Sequence, residues 1–334
     1  MSTRNYSKLS HTEKKIYNEF CSGLENFRQP FNFGSTPSAT VSKVYNMVLE
    51  DHPRFFWLSG GGKFHWIKAG STIKDMTFEV KLTDGISPAA IRAMSLKLNA
   101  AVKAIADRAR QYRNHFDRIL FVHDYIVDTT NYVLHAPMRY NAYGCLINHK
   151  AVCAGYAKAF QMIMNELGYE CGYVKGSDKN KSSIHSSHAW NYIKIERDYY
   201  FVDVTRDDPV AETGRPGYNN KTHNYFCISE SELSLTHSID KECNCPPCKG
   251  TKYNYYVYNN FYLKKYSFSD VKEIAMRQLR CSGKFTVKFD TKRVADRALK
   301  ELVTDGKVYS IPGVAGRITY SKSSSGLIIT VKNA

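Results

Sequence analysis

The 334-residue chain has no stretch that approaches the roughly 20 apolar residues needed to cross a bilayer, which argues against a membrane span. Its first twenty residues, Met1 to Phe20, are polar and carry Arg4, Lys8, Glu13, Lys14 and Lys15 with no apolar run behind them, so the hydrophobic segment of a secretory signal is missing. Taken as written, the expectation is a cytoplasmic protein, or an extracellular one if a leader has been removed. The cysteines do not pair up: there are nine, and Cys21, Cys145, Cys153, Cys171, Cys227 and Cys281 lie apart from one another. That pattern excludes a secreted disulfide framework and predicts free thiols. No acidic calcium-type loop is present, so calcium activation is not expected. The absence of an RNA-binding aromatic signature and of zinc-finger repeats speaks against nucleic acid as a partner. Acidic residues are outnumbered 31 to 47, giving a net charge of +16. That excess favours an anionic partner such as a cell-wall polymer or lipid headgroups, although basic residues spread along the whole chain also describe an ordinary solvated surface.

Against these absences stand strong periodic patterns. Residues 11 to 50 read as two helices, with Ile16, Phe20 and Leu24 and then Val41, Val44, Tyr45 and Val48 at helical spacing, broken by the Pro30 to Pro37 stretch. Phe55 to Leu58, Phe64 to Ile67 and Met76 to Val80, with Gly60-Gly61-Gly62 as a turn, read as a small antiparallel meander. From Pro88 to about Thr129 two further helices flank a polar hinge at Arg108 to Asn114. Val152 to Leu167 places Val152, Tyr156, Phe160, Ile163 and Met164 on one helical face, with Gly168 as the stop. Cys171 to Lys175, His188 to Ile195 and Tyr199 to Val204 read as consecutive strands, the α+β order. A helix near Asp270 to Gln278 follows a tyrosine-rich stretch, Tyr253 to Tyr266, read as a strand with an aromatic face. The final segment reads as strand (Lys284 to Phe289), helix (Arg293 to Val303) and two strands (Arg317 to Ser321, Gly326 to Val331). Three regions are expected: 1–87, helices and meander; 88–280, a catalytic domain; and 281–334, a small α+β unit.

Cys153 opens a helix, and His188 and Asp203 fall on two later strand-like runs. These are the three side chains that acyl transfer through a thiolate requires. A thiol is a useful nucleophile only when ionised, and its ordinary pKa of about 8.5 falls beside an imidazolium or a helix N-terminus. His188 would take the thiol proton and later protonate the leaving amine, with Asp203 holding its ring. The backbone N–H of Cys153 would serve as one oxyanion donor, with Tyr140, Tyr143 and Trp190 as candidates for a second. A hairpin symmetric about Arg197 sets His188 opposite Arg206 rather than Asp203, so the strands must be offset or bulged. His185 is the competing base.

The residues that surround this constellation carry a resemblance. Tyr143-Gly144, Ala151 to Phe160, Gly168 to Cys171, His188-Ala189-Trp190-Asn191 and Tyr200 to Pro209 resemble the core of the transglutaminase-like superfamily in its bacterial form. The likeness spans roughly residues 115 to 210, and Val44 to Gly61 more loosely resembles the N-terminal region of Firmicutes members. It implies an α+β papain-like fold, with the cysteine-bearing helix packed on an antiparallel sheet, and a Cys-His-Asp triad that falls on Cys153, His188 and Asp203. The superfamily holds cross-linking acyltransferases, proteases, deglycosylating amidases and inactive members. Two departures stand out: Arg206 replaces a tryptophan common in bacterial members and could charge the rim of the site, and the leader that many exported relatives carry is missing.

A second cluster, His237 with Cys243, Cys245 and Cys248, offers the four ligands of a structural zinc site. No cofactor is expected for catalysis. The functional expectation is a cysteine enzyme that acts on amide bonds of a protein or peptide through a thioester, hydrolytic rather than cross-linking because no lysine-binding tunnel is identifiable. Protein-glutamine cross-linking is one alternative, and a non-catalytic module with a basic binding surface is another.

Overall fold

The computed structural model describes residues 3–69, 72–83, 86–179, 187–208 and 221–333. The helix His11–Glu25 begins at a reciprocal cap: Glu13 N–H donates to the Ser10 hydroxyl while Ser10 N–H donates to the Glu13 carboxylate. Its apolar stripe of Ile16, Tyr17, Phe20 and Leu24 meets Val41, Val44, Tyr45 and Val48 of the helix Ser38–Asp51. Beside them lies a three-stranded antiparallel sheet in which the strand Thr72–Leu82 sits between Phe31–Asn32 and Leu58–Ala69. The three glycines thus do not make a turn. They lie inside the strand Leu58–Ala69, where the pairing slips between Leu58 and Gly62, because the flanking residues continue the ladder on both sides.

The helices Pro88–Arg110 and His115–Thr129 enclose the buried helix Cys153–Glu166, whose Tyr156, Phe160, Ile163 and Met164 are fully out of water. A single hydrophobic core runs from Leu9 through these helices to Phe226 and Tyr253, crossing the division expected at residue 87. Among the described residues no helix is long and apolar enough to cross a membrane.

The cysteine helix packs on a four-stranded antiparallel sheet in the order Asp198–Val202, Ser187–Ile195, Cys171–Asp178, His237–Ile239. This is the α+β arrangement of helix on antiparallel sheet. The register pairs Asn191 with Val202 and Ile195 with Asp198, so the turn is centred between Glu196 and Arg197. That half-residue displacement from the symmetric hairpin matters. Extended by one residue, the register sets Asp203 opposite Trp190, and side chains two apart share a face, so His188 falls on Asp203's side of the sheet. Gly176 admits the last strand, since a Cβ there would stand 2.1 Å from the Ser238 carbonyl oxygen.

The C-terminal sheet has the order Tyr262–Leu263, Lys284–Phe289, Ile328–Asn333, Ile318–Lys322. Its core includes Val271, Ile274 and Ala275 of the helix Phe268–Ser282, which therefore packs with the strands beyond residue 281. A buried Lys288–Glu232 ion pair ties this sheet to the short helix Glu230–Leu233. The tyrosine-rich stretch is not the strand its alternation suggests. Asn254 caps a single helical turn, Tyr255–Tyr258, which sends each ring to a separate partner: Tyr255 stacks on His223 at 4.1 Å and Tyr258 on Phe116 at 3.8 Å.

Candidate active site

Cys153 is the first residue of its helix, following Val152 in extended conformation, so it stands at the positive end of the helix dipole. Two residues upstream, Ala151 pairs with Tyr132. His188 and the Ala189 backbone N–H both act on the thiol to favour its ionised form. Burial works against ionising Cys153, but the hydrogen bond and charge of His188 outweigh it and bring the thiol below its ordinary value.

His188 stands at the start of its strand, and its Nε2 lies 2.6 Å from Asp203 Oδ2. Burial disfavours the imidazolium, yet the Asp203 carboxylate, with help from Cys153, overcomes that cost and lifts His188 to about 10. Asp203 follows the strand Asp198–Val202 and is 1% exposed. Its Oδ1 accepts a hydrogen bond from the Arg206 N–H at 3.1 Å. Burial would raise its pKa, but His188 and His237 hold the carboxyl well below the usual range. His188 thus hydrogen-bonds Asp203 and favours the ionised form of Cys153. The three groups can hold a thiolate beside an imidazolium at neutral pH and return a proton to a leaving group.

The remaining predicted residues are placed differently. Tyr143 is buried and stacks on Phe56 at 5.2 Å, so its ring is spent on packing. Tyr140 is exposed, with its hydroxyl taking a hydrogen bond from Arg139. Trp190 is buried behind the histidine, 5.8 Å from its ring and edge-on to His237 at 5.0 Å, and acts as a wall. Arg206 does not charge the rim. It is buried in an ion pair with Asp178, because the turn after Asp203 folds it inward. His185 lies outside the described residues.

The four candidate zinc ligands do not converge on one point. His237 turns away from the cysteines, with Nε2 3.2 Å from Asp203 Oδ2 and Nδ1 2.8 Å from the Thr236 hydroxyl. The Cys245 N–H donates to the Cys243 carbonyl at 3.0 Å, while the Cys248 thiol donates to the Pro246 carbonyl at 3.4 Å. Among the described residues, none of the three thiols belongs to a group whose ligand atoms converge on one point.

Two contributors escaped sequence reasoning. The Tyr132 hydroxyl lies within the influence of the Cys153 backbone N–H, and burial pushes its pKa up to about 12, so it keeps its proton. The only hint was its position just past a helix end, since no periodicity marks it. The other is a clamp behind the site. His123 on the helix His115–Thr129 lies between Asp124 Oδ1 at 2.9 Å and Asp207 Oδ2 at 3.2 Å. Burial opposes its charge, but both carboxylates raise it to about 9. His223 and Lys221 also reach Asp124, at 2.8 and 3.3 Å. His123 and Lys221 thereby set two cationic groups against Asp124 and Asp207. Asp207 further accepts from the Thr222 hydroxyl and the Asn224 and Tyr225 N–H groups, fixing the turn that follows Asp203.

Residues 103–204 match the sequence model of the transglutaminase-like superfamily, a span that contains Cys153, His188 and Asp203. No curated protein sequence matches the chain. Solved structures similar to it include a candidate cysteine protease from Cytophaga hutchinsonii (14% identity, 45% of this chain and 64% of that one, TM-score 0.30). A TGase (13%, 63% and 56%, 0.30) and the periplasmic domain of TgpA from Pseudomonas aeruginosa (16%, 43% and 61%, 0.30) are similar to the same degree. The chain spans less than two thirds of the length of each. Residues 103–204 of this chain therefore constitute a core of the transglutaminase-like superfamily.

Proposed function

We propose that the protein is a cysteine enzyme that opens amide bonds of a protein or peptide substrate. The observation that carries this reading is the His188–Asp203 hydrogen bond at 2.6 Å beside a helix-start Cys153 whose ionised form His188 favours. The Cys153 thiolate attacks the amide carbonyl carbon, and the carbonyl π pair moves to oxygen. The Cys153 N–H and the still protonated Tyr132 hydroxyl donate to that oxyanion. As the C–N bond breaks, the His188 imidazolium gives its proton to the departing amine, leaving a thioester on Cys153. Neutral His188 then takes a proton from water, whose oxygen displaces sulfur and releases the acid. Asp203 stays ionised throughout and keeps His188 in one orientation. Water is the acceptor at hand, so hydrolysis is the favoured outcome and transfer to an amine its competitor.

The test is iodoacetamide labelling near pH 6.5 with peptide mapping, followed by mass spectrometry after incubation with candidate peptides and an added amine. Cys153 is expected to label well ahead of the exposed Cys281, and a thioester adduct to resolve to acid. Equal labelling of the two thiols would overturn the reading; resolution to the amide would assign cross-linking instead.

A further inference from the structure

His237 is a buried histidine for which the triad chemistry has no use, yet it touches the triad. It lies on the strand His237–Ile239, paired across from Asp178, and is 2% exposed. Its Nε2 is 3.2 Å from Asp203 Oδ2, the same oxygen that holds His188 at 2.6 Å. The contact is not aligned as a hydrogen bond and Nε2 makes no other among the described residues, but a carboxylate oxygen repels a bare ring nitrogen, so the hydrogen sits on Nε2 of His237. Nδ1 is then the acceptor of a neutral ring, and the Thr236 hydroxyl at 2.8 Å supplies its donor. The Thr236 oxygen in turn lies 3.3 Å from the Tyr225 hydroxyl. The Leu233 carbonyl at 3.4 Å is the competing acceptor for the Thr236 hydrogen, and the shorter contact to Nδ1 favours the ring.

The charges that face His237 keep it neutral. Its neighbours are the His188 imidazolium, 5.4 Å away between ring centres, the Arg206 guanidinium with its partner Asp178, and Asp203 itself. Burial and the two cations disfavour a second proton more than Asp203 favours it.

We propose that His237 is a positioning residue for Asp203, its buried Nε2–H set against the oxygen that orients His188 and serving that oxygen as a second donor when the ring turns into line. This rests on the triad reading above. A second donor spreads the carboxylate charge, so Asp203 holds the His188 proton less tightly and the imidazolium remains acid enough to protonate a leaving amine. Without that donor Asp203 becomes the stronger acceptor and His188 gives up its proton at higher pH.

The experiment is the pH profile of Cys153 alkylation by iodoacetamide, which needs no substrate. Two steps are expected in the unaltered protein, a lower one for thiol ionisation and an upper one for loss of the His188 proton. His237→Phe should move the upper step up by about one pH unit, a tenfold change in the proton equilibrium. His237→Gln, whose amide N–H can occupy the Nε2 position, should leave it in place. Thr236→Val, nearly isosteric, should move it in the same direction by less, and it carries the test if the Phe protein fails to fold. An upper step unmoved in His237→Phe, or moved equally by Gln and Phe, overturns the assignment while leaving the triad intact. A single step in the ordinary thiol range in the unaltered protein overturns both readings.

Discussion

The Tyr156 hydroxyl donates to Asp208 Oδ2 at 2.6 Å, which ties the helix that begins at Cys153 to the turn that follows Asp203. The same hydroxyl lies 3.0 Å from the Thr130 carbonyl. Nucleophile and orienting acid come from elements 50 residues apart, and this buried contact sets their distance. Tyr156→Phe is expected to cost about 1–3 kcal/mol of stability by urea denaturation, the range for a buried hydrogen bond to a charged group, and to slow alkylation of Cys153. Unchanged values in both measurements would show that the contact does not set the site.

Asp203→Asn should leave the fold in place and reduce amide turnover by about 10³–10⁴-fold, because the neutral amide no longer stabilises the imidazolium. Cys153→Ala should abolish turnover altogether. Circular dichroism and a peptide assay distinguish loss of chemistry from loss of structure.

Tyr132→Phe removes the hydroxyl opposite the Cys153 N–H without touching the histidine. The expected result is a fall in kcat of about 10²-fold, the scale of one lost oxyanion donor, with the lower step of the alkylation profile unmoved. A shift in that step with kcat preserved would assign Tyr132 to the thiol rather than to the intermediate.

The clamp around His123 makes stability depend on pH. Its pKa rises from 6.5 to about 9 on folding, so its contribution is complete below pH 6.5 and is lost as pH climbs through 9. Over that window stability should fall by up to about 1.4 kcal/mol per pH unit for this one proton. Urea midpoints at pH 6, 8 and 9.5 should decline in the unaltered protein and decline less steeply in His123→Phe.

Breaking the buried Arg206–Asp178 pair from one side should be costly. Arg206→Met strips Asp178 of this partner, and a loss of about 3 kcal/mol is expected from the general cost of dividing a buried ion pair. A melting temperature equal to that of the unaltered protein would show the pair to be energetically neutral.

Much of the fold was legible in the amino-acid order because it rests on local periodicity. The stripes Ile16–Phe20–Leu24 and Tyr156–Phe160–Ile163 predict helices, and each forms with that face buried. Where composition conflicted with local capping or pairing, pattern misled. The alternating tyrosines after Tyr253 resemble a strand, but Asn254 offers a helix cap. The glycines at 60–62 resemble a turn, but the ladder runs on through them.

The sequence by itself determined which chemistry the chain could perform: a cysteine at a helix start, with a histidine and an aspartate on following strands, in a motif context similar to a known superfamily. Only the tertiary structure decided how those groups are supported. A hairpin register half a residue from symmetry puts His188 and Asp203 on one face, and one-residue slips invert faces, so spacing could not settle it. The choice of His237 for Asp203 over the nearby cysteines, and of Arg206 for Asp178 over the rim, depends on which polar groups are buried together. Burial is a property of the packed molecule, and the desolvation it imposes fixes those partnerships.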